Sequence, residues 1–141
     1  MFKKYGKELN LNKDSECVMP RAKLHFNKNF RRYFKQRLTY GFDDRETWSL
    51  DTTSAIWLYE HIRMLEEVGG KIVDYECNYF FPKEITEEIE NLGFPGIDSD
   101  AKVMHLICDL LKKGVHEEKG EEKTLSLAFR IYSIVLARFW W

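Results

Sequence analysis

The chain has 141 residues, enough for one domain, and at 44% hydrophobic and 15% aromatic it can fill a core of its own. A formal net charge of −1 excludes a generic polyanion binder, whose whole surface would be basic. No apolar run reaches the roughly 18 residues of a spanning helix, and "MFKKYGKELNLNK" lacks the apolar stretch of a secretion signal, so no membrane partner and a cytoplasmic location are expected.

Residues 1–22 are polar, Lys-rich and broken by Gly6 and Pro20; they read as a flexible N-terminal arm, leaving 23–141 as the helical domain. From about Asn27 to Thr39, "NKNFRRYFKQRLT" places Phe26, Phe30, Tyr33, Phe34 and Leu38 at helical spacing, with Arg31, Arg32 and Lys35 largely opposite. Gly41 ends this helix. The next is expected to start at Asp43 or Asp44, where Asp43 and Glu46 form a capping-box-like pair. Trp48, Thr52, Ala55, Tyr59, Ile62 and Leu65 then form one stripe, widened by Ile56 and Leu58 and stopped by Gly69-Gly70. Such a helix of about 25 residues would span roughly 37 Å.

"KIVDYECNYFFPKE" reads as an aromatic connector, and Pro82 can open a short helix with Ile85, Ile89 and Leu92 on its apolar edge. "GFPGIDSD" is a turn cluster. Asp98 or Ser99 caps a helix reaching about Lys113, with Val103, Leu106, Ile107, Leu110 and Leu111 inward. After a charged loop, a last helix from about Glu122 to Trp141 carries Leu125, Ala128, Phe129, Tyr132, Val135, Leu136 and Phe139. Trp140 and Trp141 are expected to dock, because a bare aromatic end is a liability. The expected fold is all-α, a single-domain helical bundle of four main helices plus one short helix.

The segment "YGFDDRETWSLDTTSAIWLYEHIRML" has Gly41, Phe42, Asp43, Asp44, Trp48 and Asp51 in a Gly-aromatic-acidic-Trp-x-x-Asp order. With "LGFPG" and the aromatic ending "FRIYSIVLARFWW", it resembles a family of small, mostly uncharacterised all-α proteins encoded in bacteriophage and prophage genomes. The resemblance covers about residues 28–141. It departs from the family at Met104, where Trp is frequent, and in a longer connector after Gly69-Gly70. It implies membership of a phage-encoded group, and no known activity or catalytic residue.

Chemistry-bearing motifs are few. Trp48 and Asp51 lie three apart on one helical face. The expected role is structural: Trp48 anchors the core, and Asp51 accepts a bond from Arg37 or Arg32 and so fixes how the long helix docks on the basic one. The alternative is an acid in an apolar cleft, but no catalytic partner accompanies it. His105 and Cys108 share a face, yet a metal site needs three or four ligands and the other His and Cys are scattered, so no metal is expected. Cys17, Cys77 and Cys108, odd in number and far apart, read as reduced thiols. There is no phosphate-cradling glycine loop and no nucleophile elbow, so neither cofactor nor enzyme activity is expected.

The basic helix is the ambiguous signal. From Cys17 to Phe42 there is no Asp or Glu, and Lys28, Arg31, Arg32, Lys35 and Arg37 fall there among aromatics. Two readings stand. In one, the aromatics are core and the cations are solvated or neutralised by Glu84–Glu90 or by the Glu117–Glu122 loop. In the other, the helix over 26–40 binds a nucleic acid or nucleotide. The function expected first is a non-enzymatic phage-type accessory protein in the host cytoplasm. It would bind a protein partner stoichiometrically, a host factor or a defence component, and homo-oligomerisation is open. The alternative is the nucleic-acid or nucleotide binder.

Overall fold

The computed structural model describes residues 5–11, 24, 26–47, 50–69, 81–94, 96–118 and 121–136. The architecture is all-α, as expected: α1 (Phe30–Tyr40), α2 (Leu50–Gly69), α3 (Lys83–Asn91), α4 (Asp100–Gly114) and α5 (Lys123–Val135), with no strand among the described residues. Four helices are long and α3 is the short one. No described helix is long and apolar enough to cross a membrane. The chain divides into two compact units, Met1–Glu60 and His61–Trp141, with the division inside α2.

In the first unit, a 3-10 turn at Gly6–Leu9 lies within the segment read as an arm. Leu9 is fully buried there, and the Tyr59 hydroxyl donates to Glu8 at 2.6 Å. Helix α1 stops where expected. Gly41 takes the left-handed conformation at φ 83°, and its N–H reaches the Arg37 carbonyl. The next helix does not start at Asp43. Asp44–Thr47 form a separate 3-10 turn, and α2 begins at Leu50, so it has 20 residues and spans about 30 Å. Along α2 the expected stripe is largely the inner face: Ala55, Ile56, Leu58, Tyr59 and Ile62 are buried, and Thr52 and Leu65 partly so. Trp48 lies outside the described residues.

The second unit is built round α4 packed on α5. The local signals of α4 act as written. The Ser99 hydroxyl caps it by accepting from the Lys102 N–H at 3.3 Å, and the five apolar residues expected inward are all buried. Pro82 precedes α3, whose Ile85 and Ile89 are buried. Gly93, at φ 76°, closes α3 with its N–H on the Glu90 carbonyl. In α5 the inner face is Thr124, Leu125, Leu127, Ala128, Ile131 and Val135. Phe129 and Tyr132 sit at its margin, and burial pushes the Tyr132 phenol upward. Trp140 and Trp141 lie outside the described residues.

Two contacts fix the α4–α5 turn. Gly114 lies so close to α5 that a β-carbon there would stand 2.8 Å from the Leu125 backbone nitrogen. Beyond it, Glu117 folds back so that its carboxylate accepts from the Thr124 N–H, at 3.1 Å for the nearer oxygen, and from the Thr124 hydroxyl. A carboxylate at this end suits both an orphan helix donor and the positive end of the helix dipole. Glu117→Ala is therefore expected to lose about 1–2 kcal/mol in urea denaturation. Glu117→Gln, which keeps one acceptor, should recover part of that loss.

Candidate binding surface on helix α1

The inner edge of α1 is polar, against the one of the two readings in which its aromatics are core. Tyr33 is its one buried residue. The Arg45 guanidinium lies over the Tyr33 ring at 4.2 Å from the centroid, and that of Arg32 at 5.0 Å. Arg37 Nε donates to Asp43 Oδ2 at 2.7 Å. Arg45 grips the same carboxylate with two side-chain donors, each at 2.8 Å, and adds its backbone N–H at 3.2 Å. Gln36 and Asp44 exchange two bonds, and Arg32 Nε lies 3.4 Å from Asp44 Oδ2.

The cause is local. Once Gly41 has turned the chain left-handed, Asp43 and Asp44 pass beside the last turns of α1, within reach of Gln36 and Arg37. Burial works to raise the Asp43 carboxyl, but the bonds and charges of Arg45 and Arg37 outweigh it and hold the group below the usual carboxylate value. A depressed folded value contributes stability above the unfolded value of 3.8 that is lost as pH falls through the folded one. In acid denaturation, wild type should therefore lose stability below pH 3.8 more steeply than Asp43→Asn, which has no such group to titrate.

The bond expected at Asp51 is thus made elsewhere. Arg37 pairs with Asp43 and Arg32 with Asp44, while Asp51 is exposed in the first turn of α2. Asp51 comes too late in the chain, because a 3-10 turn intervenes and the two earlier acids reach the arginines first. The neutralisers are also nearer than expected. Glu87 pairs with Lys83, Glu88 makes a two-bond pair with Arg130, and Glu117 caps α5. Arg45 was not singled out in the sequence; the Asp43-x-Arg45 spacing is the signal that would have found it.

Helix α1 starts at Phe30, later than the expected Asn27, so Phe26 stands in the bend before it, and the aromatic line that the two form faces outward. Phe26 is 93% exposed, Leu38 73% and Phe34 47%, with Phe30 half-buried between them. Phe26 and Phe30 stack at 4.4 Å between centroids, and Phe30 and Phe34 at 5.9 Å. Tyr40 and Phe42 make a further exposed pair at 6.2 Å. Of the five cations singled out, Arg32 and Arg37 are drawn into the clasp. Lys28, Arg31 and Lys35 are exposed and make no ion pair among the described residues. Arg31 and Lys35 each follow a phenylalanine of the line by one residue and so flank it.

Elsewhere the chemistry is sparse. A cavity of about 160 Å³ in the second unit is lined by Phe81, Ile89, Phe94 and Ile97, with Glu90 as the one ionisable residue among the described residues that line it. A lone carboxylate there gives no acid–base pair. Cys108 is buried, and His105 is exposed with its Nδ1 3.3 Å from Glu66. Among the described residues no three His, Cys, Asp or Glu side chains converge as metal ligands. No protein-family model matches the chain, and neither a curated protein nor a solved structure is significantly similar to it.

Proposed function

We propose that the chain is a non-enzymatic, phage-type accessory protein that acts by stoichiometric binding to a host factor or defence component, with the outward face of α1 as its contact surface. One observation carries this reading: Phe34 and Leu38 stand exposed on α1 beside half-buried Phe30, and exposed Phe26 stacks on Phe30 from the bend just before the helix. Scattered exposed apolar residues are ordinary, but a continuous line of them marks an interaction surface. The polar clasp explains how the line stays outward, because Tyr33, Gln36 and Arg37 hold the adjacent edge of the helix.

The test is a double substitution, Phe34→Ser with Leu38→Ser. Both side chains are exposed, so stability should change by about 0.5 kcal/mol or less per site. Binding to the partner recovered from host extract should weaken by about thirtyfold or more, the scale of an interface anchor. Wild-type protein should saturate the partner at a fixed molar ratio. Turnover at a small fraction of that ratio would sink the non-enzymatic reading.

The second reading, a nucleic-acid or nucleotide binder, draws on Lys28, Arg31 and Lys35. It requires affinity to fall steeply with salt, by nearly one logarithmic unit per duplex phosphate contact for each tenfold rise in salt.

A further inference from the structure

Resting on that reading of α1, we infer that its occupant is a groove on another protein, apolar along its floor and edged by carboxylates. The ring geometry leaves no room for a base intercalated within the ladder. A base inserted between two rings needs them roughly 6.8 Å apart, twice the 3.4 Å stacking rise. Phe26 and Phe30 lie at 4.4 Å with planes 19° apart, and Phe30 and Phe34 at 5.9 Å with planes 14° apart. The inner ring faces are taken up by one another. Leu38, next in the line, has no ring at all. What the ladder offers outward is the open side of Phe26, the exposed part of Phe34 and the aliphatic surface of Leu38.

That surface fits apolar side chains, and the positive rim of a phenyl ring also favours a nearby carboxylate. Three anchors at four-residue spacing, Phe30, Phe34 and Leu38, extend about 12 Å along α1, and Phe26 stacks on the first of them from the bend before the helix, the footprint of a helix end laid in a groove. Arg31 and Lys35 run beside the anchors on α1, and Lys28 lies in the turn just before the helix. Exposed and cationic, these side chains are complementary in charge to acids on a partner's edge.

The experiment places a photo-reactive benzoylphenylalanine at position 34 of the full chain, and at exposed Ile134 of α5 as a comparison. Cross-links formed in host extract are mapped with and without nuclease and an excess of oligo-dT. The expected cross-link from position 34 lands on a protein segment in which apolar residues lie among Asp or Glu, and neither nuclease nor oligo-dT changes its yield. Adding Lys28→Glu with Lys35→Glu should weaken binding about tenfold, and reversing the mapped acids to Lys should restore it. A cross-link to nucleic acid, to a protein segment without carboxylates or to a second copy of this chain overturns the inference while leaving α1 as the contact surface. If position 34 captures nothing, whether or not position 134 does, the reading of α1 itself fails.

Discussion

Asp43→Ala is expected to cost about 3–5 kcal/mol, the scale for removing one partner of a buried charge cluster. Asp43 is completely buried, and it is the shared acceptor for Arg37 and Arg45, whose side chains are themselves mostly covered. Without the carboxylate, two guanidiniums remain close together with their common counter-charge gone. The Arg45 placement over Tyr33 is also lost, and with it the packing of the one buried residue of α1. Asp51→Ala is the matched control. Asp51 is exposed, so that change should stay within about 0.5 kcal/mol. Guanidinium denaturation of both variants decides the matter. Equal effects would mean that the acid holding α1 has been misidentified.

Gly114→Ala is expected to be the most damaging single methyl in the second unit. Ordinarily alanine is favoured over glycine in a helix by about 1 kcal/mol. Here the new carbon would meet the Leu125 nitrogen at 2.8 Å and its α-carbon at 2.9 Å. Both are backbone atoms, which cannot swing aside as the end of a side chain can. Helices α4 and α5 must then move apart next to buried Leu110, Leu111 and Ala128. An overpacking cost of about 1–3 kcal/mol or more should outweigh the gain in helix propensity. Gly96→Ala, with nothing near the added carbon, should be close to neutral. If Gly114→Ala melts with wild type, the close approach of α4 to α5 is not what sets this turn.

Much of the fold was legible because its signals are local. Ser99 as a cap, Pro82 ahead of α3, Gly41 past the end of α1 and the buried stripe of α4 all follow from neighbouring residues. The site was legible only in part. Periodicity shows that Phe26, Phe30, Phe34 and Leu38 share a stripe, but not whether the core or solvent receives it. That is decided by the competing edge, where Tyr33, Gln36 and Arg37 find Asp43 and Asp44 after the Gly41 turn. The same turn explains why Asp51 was the wrong acid to pair with the arginines. The Gly114 approach was illegible for a different reason: it depends on where α5 returns, which no window around residue 114 contains.

The polar clasp has a dynamic consequence. A helix that buries a single tyrosine is held mostly by directed bonds, and these contribute little net free energy compared with a packed apolar face. Helix α1 should therefore open locally at a lower free energy than α4, which buries nine of its residues. In native-state hydrogen exchange, the amides of Tyr33–Tyr40 should be replaced by deuterium well before those of Val103–Leu111. A partner seated on the phenylalanine line would slow the first group and leave the second unchanged. Protection of α1 would then report occupancy directly, and part of the binding energy would go into ordering the helix that binds.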